Sequence, residues 1–183
     1  MHHYQIYRAS AITTLMAMLS AGNPALSQDD EKDQDLPLEG KTKTLAFSTD
    51  EGSWMSIDIT PDGQTLVFDL LGDLYSLSIK GGAANRITSG LGYDSQPAVS
   101  PDGKTIAFVS DRDGARNLWV ANIDGTGRRK ISDEKQWGII SPEWTPDGDY
   151  IVVTKTAAQT EMTIYHVEGG SGVTLAGAGD DKK

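Results

Sequence analysis

The sequence contains no cysteine, and only three of its 183 residues are histidine. Without thiols there are no disulfides, no thiolate metal sites and no cysteine nucleophile. The scarcity of histidine removes much of the remaining site chemistry. His2 and His3 stand at the N-terminus, and His166 stands alone between Tyr165 and Val167. One such histidine supports neither a His-rich zinc site nor a Ser-His-Asp triad, and it reads as a structural or surface residue. Basic residues are also few, with 16 Lys and Arg against 26 Asp and Glu for a net charge of −10. That balance argues against nucleic acid as a partner. The densest basic cluster, Arg128-Arg129-Lys130, reads as the exposed edge of a strand. Long apolar runs are missing too. The longest, Ala9 to Gly22, has roughly 14 residues where a membrane span needs about 20.

That apolar run nevertheless has an order of its own. It follows Arg8, is broken by Pro24, and leads to Ala25-Leu26-Ser27, which sets small residues at the positions a signal peptidase reads. Residues 1–27 are therefore expected to be a signal peptide, giving a periplasmic or secreted protein with no transmembrane segment after cleavage. Residues 28–41 begin with the charged run QDDEKDQD and read as an acidic linker.

From residue 42 onward the chain is repetitive. Pro61-Asp62-Gly63, Pro101-Asp102-Gly103 and Pro146-Asp147-Gly148 are each preceded by Thr or Ser and followed by a short β-rich run. Proline presets φ for the turn, aspartate bonds the backbone ahead of it, and glycine accepts positive φ. Strand-forming segments flank each turn, as in Thr65 to Leu71 (TLVFDLL), Thr105 to Ser110 (TIAFVS) and Asn117 to Asn122 (NLWVAN). Turns recurring 40 and 45 residues apart predict four-stranded antiparallel blades, with repeats near 50–90, 91–134 and 135–176. The fold class expected is all-β, a partial β-propeller spanning 42–183. Blades with two apolar faces need neighbours, and a closed propeller has at least about four. The tail Ala176 to Lys183 (AGAGDDKK) does not read as a cap. The sequence therefore predicts either a fragment of a larger propeller or closure by self-association, with a homodimer as one form.

The run Ser100 to Gly114, followed by Asn117-Leu118-Trp119-Val120 and Asp124-Gly125, resembles the propeller repeats of TolB and related periplasmic proteins. Phe47 to Met55, Phe68 to Tyr75 and Ile164 to Val173 are similar to a group of large secreted proteins. In that group a TolB-like propeller precedes a metal-dependent amidohydrolase barrel. The resemblance covers roughly 36–175 and implies a non-catalytic module that binds or gates. Metal ligands would lie in the downstream domain, so this chain itself would carry no catalytic residue, metal or cofactor. The implied partner is a protein, a peptide, or a further domain of the same polypeptide.

Candidate contact residues come from positions on or just before the innermost strands. Asp50, Glu51, Asp58, Asp94 and Glu143 would give the central channel an acidic mouth. Trp54, Trp119 and Trp144 read by default as core residues, Trp54 being also a candidate contact at the channel mouth, whereas Trp137, in a loop between repeats, is the best candidate for an exposed contact. Asp111-x-Asp113-Gly114 has the opening of a calcium loop without its distal ligands and reads as turn capping. Gly170-Ser171-Gly172 lacks the strand and helix of a nucleophile elbow and reads as a hairpin turn. Asp62, Asp102 and Asp147 read as turn residues, on separate blades and too far apart to share a substrate.

Overall fold

The computed structural model describes residues 45–177 together with a two-residue strand, Gln5–Ile6 (β1). That strand pairs antiparallel with Phe47–Ser48 (β2). The rest of the expected signal peptide and linker, and the tail from 178 on, lie outside the described residues.

Three four-stranded sheets follow, each an antiparallel meander in chain order. Blade one holds Ile57–Ile59 (β3), Thr65–Leu70 (β4), Asp73–Ser78 (β5) and Asn85–Arg86 (β6). Blade two holds Asp94–Val99 (β7), Thr105–Ser110 (β8), Asn117–Asn122 (β9) and Arg129–Lys130 (β10). Blade three holds Gly138–Trp144 (β11), Tyr150–Thr156 (β12), Thr160–His166 (β13) and Val173–Gly177 (β14). Among the described residues there is no helix. The architecture is the expected all-β partial propeller.

The Pro-Asp-Gly turns join the first and second strand of each blade, and their chemistry repeats. Asp62 Oδ1 accepts from the Thr60 hydroxyl (2.6 Å) and from the Gln64 amide (2.9 Å). Asp102 does the same with Ser100 and Lys104, and Asp147 with Thr145 and Asp149. The hydroxyl bond first, then the amide, holds all three carboxyls below their ordinary value. Any stability they add is present above the unfolded value and fades as pH falls through the lowered one. The turns also stack between blades. A Cβ on Gly103 would stand 3.3 Å from Pro61 Cδ, and one on Gly148 3.8 Å from Pro101 Cδ.

Strand alternation gives each blade two apolar faces. Ile106, Phe108, Trp119 and Ala121 of blade two pack with Val67 and Leu74 of blade one. Ala107, Val109, Leu118 and Val120, on the other face of blade two, pack with Ile139, Ile151, Val153 and Tyr165 of blade three. Fully burying one such large side chain contributes about 1.5–3 kcal/mol, so these two seams carry the fold.

The hairpin between β4 and β5 is less well matched to its sequence. Leu71 and Gly72 have φ of 55° and 85°, the signature of a type I′ turn, which favours Asn-Gly. Leu71 is exposed and gains little packing in return for a left-handed backbone. Leu71→Asn is therefore expected to raise stability by about 0.5–1 kcal/mol, read as a higher midpoint in thermal unfolding.

Candidate functional site

Each innermost strand begins at the same end of the array. Asp94, the first residue of β7, pairs with Ser110, the last of β8, and Gly138 at the start of β11 pairs with Thr156 at the end of β12. The loops between blades and the second hairpin of each blade therefore open at one end, and the Pro-Asp-Gly turns lie at the other. The inter-blade end is the side on which the sequence placed most of its candidates.

The structure brings Asp50 and Glu51 together at the rim of an apolar trough of about 290 Å³, lined also by Met55, Ile57, Leu66 and Phe68. Both acids are exposed. Trp54, a candidate contact whose default reading was the core, is fully exposed, with a φ of 60°. The cause is local. The Ser56 amide bonds to Asp69 Oδ1 at 3.0 Å, so β3 begins only at Ile57 and the chain before it leaves the sheet. Trp119 is buried. Trp144 is partly buried and donates its indole N–H to Ala98 O at 2.9 Å.

Trp137 corrects the opposite way. It is half-buried, with Lys155 Nζ 5.2 Å from the centre of its ring. Lys155 in turn pairs with Glu134 at 2.9 Å, and Glu134 accepts from the Tyr165 hydroxyl at 2.6 Å. Burial and the neighbouring Glu134 carboxylate push the Tyr165 phenol well up. Glu143 is exposed on β11.

Asp94 does not belong to an acidic mouth. It is fully buried, and its Oδ2 lies 2.6 Å from Arg112 Nη2. Burial pushes its carboxyl up, against the pull of Arg112 and of the Ser110 and Thr88 hydroxyls. Asp58 is also engaged, accepting from the amides of Ile59 and Val99 at 2.7 Å each. The two aspartates of the calcium-like turn do not cap that turn with Thr or Ser. Asp111 accepts from the Tyr93 amide at 2.7 Å, and Asp113 pairs with Lys130 at 2.8 Å. The basic cluster is likewise half-buried rather than an exposed edge, and Arg129 donates to Val167 O at 2.7 Å. Lys130 and Lys135 hold the Asp133 carboxyl down at about 2.

Asp102 and Asp147 do share a space, contrary to expectation. Both line one crevice of about 340 Å³, with Ser100, Thr105 and Trp144. Each has Oδ1 committed to its own turn, which favours the turn role over acid–base work. His166 is exposed, stacks edge-on with Tyr150 at 5.1 Å, and accepts from the Glu168 amide. Among the described residues no three His, Cys, Asp or Glu side chains come close enough together to hold a metal ion. Among them, too, no helix is long and apolar enough to cross a membrane.

Sequence reasoning missed Tyr93, which is exposed in the loop entering blade two. Its ring leans on the Gly72 hairpin, 3.1 Å from where a Cβ would stand. The signal was available in Gly92-Tyr93-Asp94, an aromatic just ahead of an innermost strand. Trp54, Tyr93 and Trp137 thus each precede the first strand of a blade.

Known proteins resemble this chain in sequence and in fold. An uncharacterized protein of Agrobacterium fabrum is 33% identical over 153 residues, which cover 76% of this chain and 51% of that protein. The uncharacterized peptidase YuxL of Bacillus subtilis is 36% identical over 90 residues, 49% of this chain and 14% of the peptidase. The solved structure of a putative TolB from Agrobacterium tumefaciens superposes with a TM-score of 0.63 at 25% identity, over 72% of this chain and 52% of that one. The chain thus spans about half the length of both Agrobacterium proteins. Residues 56–176 match the family described as the Tricorn protease N-terminal β-propeller domain. Three Pro-Asp-Gly blades, their stacked turns and this match together make the chain a member of the Tricorn protease N-terminal β-propeller family.

Proposed function

We propose that this chain is a non-catalytic recognition and gating module of a periplasmic or secreted hydrolytic protein, engaging peptide or protein segments at the end where the inter-blade loops open. The observation that carries the reading is the placing of its aromatics. Trp54 and Tyr93 are exposed at that end, Trp137 lies half-buried at the corresponding place ahead of blade three, and Asp50 and Glu51 stand exposed close to Trp54 in sequence. Aromatic rings with acids nearby suit a cationic, partly apolar peptide. The side chains that resemble catalytic groups are engaged in the scaffold, as the bonds of Asp62, Asp94, Asp102 and Asp147 show. Chemistry is assigned to a separate domain that brings its own metal. The similarity of 47–55, 68–75 and 164–173 to amidohydrolase-linked propellers supports such a domain, and the relative named as a peptidase supports a hydrolytic one. The signal-like residues 1–27 support export. No cofactor and no nucleic acid enter this reading.

Titrating the full chain with a short Lys- and Leu-containing peptide, followed by tryptophan fluorescence, tests it. Saturable binding is expected, weakened about tenfold by Trp54→Ala (about 1.4 kcal/mol) and by added salt. Equal binding by Trp54→Ala counts against the site. Turnover of the peptide by the purified chain overturns the non-catalytic assignment.

A further inference from the structure

We propose that two copies of this chain close into one six-bladed ring about a two-fold axis, the outer face of blade one in each copy packing on the outer face of blade three in the other. The two open faces are of opposite kinds. Every blade has one face that meets the preceding blade and one that meets the following blade. In blade two these are the Ile106 and Phe108 face and the Ala107 and Val109 face. The repeat register places Leu66 and Phe68 of blade one on the first kind of face, with Ile57 paired to Phe68 and so on the same side. It places Val152, Met162 and Ile164 of blade three on the second kind.

The closed seams show what each open face is built to meet. Val67 and Leu74 of blade one pack on Ile106 and Phe108 of blade two. The residues of blade three that occupy the Val67 and Leu74 positions are Val152 and Met162. The residues of blade one that occupy the Ile106 and Phe108 positions are Leu66 and Phe68, and they line the open trough of about 290 Å³. Val152 and Met162 of a second copy are the groups that fill that trough in the manner of the existing seam. Ile57 is 59% exposed and Met162 47%, a large apolar exposure for one sheet stack left in water.

A second copy also fits in number. Two copies of three blades make six. Six blades lie within the range of about four to eight in which propellers close. Unlike faces meeting head to tail end in a closed pair when three blades subtend half a turn, and otherwise run on as an open series.

Light scattering on the full chain reads the mass directly, and the expected value is twice the 19.6 kDa of one chain. Ile57→Lys and Met162→Glu change exposed side chains, so each variant is expected to keep its β-sheet circular dichroism while its dimer weakens about tenfold or more. Mixing the two variants is expected to restore the dimer, because one seam then remains wild type and the other joins Lys to Glu. A folded wild-type monomer, a series of higher oligomers, dimers that survive either substitution, or a mixture that stays monomeric would each overturn the ring.

Discussion

Asp94→Ala is expected to lower the stability of the fold by about 3–5 kcal/mol, read as a loss of midpoint in urea at unchanged slope. The size follows from where the partner is left. Arg112 is 3% exposed, its guanidinium 2.6 Å from the Asp94 carboxylate and its Cζ 5.6 Å from the centre of the Trp119 ring. Removing the carboxylate takes the 2.6 Å ion pair from a guanidinium buried in the seam between blades one and two, and neither the Ser110 hydroxyl on its Nε nor the ring of Trp119 replaces that charge. Small domains hold only about 5–15 kcal/mol in all, so much of the variant population is expected to unfold on mild warming. The double substitution Asp94→Leu with Arg112→Met should recover most of the loss, because an apolar pair of similar volume replaces both charges. An equal loss in single and double variants would show that shape, not charge, matters there. The pH dependence has a defined sign. The folded carboxyl lies above its ordinary 3.8, so the native state binds more protons than the unfolded chain just above that pH. The proton-linked part of the Asp94 contribution is therefore full below pH 3.8 and is lost as pH rises through the folded value, leaving the ion pair with Arg112 above it. In Asp94→Leu with Arg112→Met that decline is expected to vanish.

The fold was legible because its signals are local. A Thr or Ser, then Pro-Asp-Gly, then an apolar run states a turn and a strand within about ten residues, and nothing distant is needed to read it. The face to which each strand turned could also be followed, since alternation fixes it once one residue is placed. Candidate contacts were harder because burial belongs to pairs of blades. Asp94 and Glu51 look alike in sequence, both acids on or just before an innermost strand. One is sealed against Arg112, a residue 18 positions later, and the other faces solvent. Trp54 and Trp119 differ in the same way. What separates them is the early capture of the Ser56 amide, which ends β3 before it reaches Trp54. Gln96 and Ser141, each before a proline, take φ of 54° and 52° where the first strands of blades two and three bulge. Residues before proline avoid the helical region, so the positive φ there comes from the seam and not from the dipeptide.

Asp69→Ala is expected to cost about 3–5 kcal/mol and to loosen blade one from blade two before the rest unfolds. Asp69 sits near the end of β4, inside a largely apolar run, and is only 8% exposed. Its Oδ1 accepts from the Ser56 amide at 3.0 Å and its Oδ2 from the Gln96 amide at 2.8 Å. One carboxylate thus holds the start of the innermost strand in its own blade and the bulge of the next. Hydrogen bonds to a charged group contribute about 1.5–3 kcal/mol each, and alanine removes both while leaving two amide donors in the seam. Asp69→Asn should lose about half as much, since its carbonyl can still accept from one amide while its NH₂ faces the other donor. Gln96 passes the contact onward, because its Oε1 accepts from the Ser141 amide at 2.6 Å. If the clasp acts in series, hydrogen exchange in Asp69→Ala should accelerate first at Ser56 and Gln96, then at Ser141, with β12 and β13 unaffected. Uniform acceleration across all three blades would instead show one cooperative unit, in which Asp69 is a buried polar group like any other and not the link that joins neighbouring repeats.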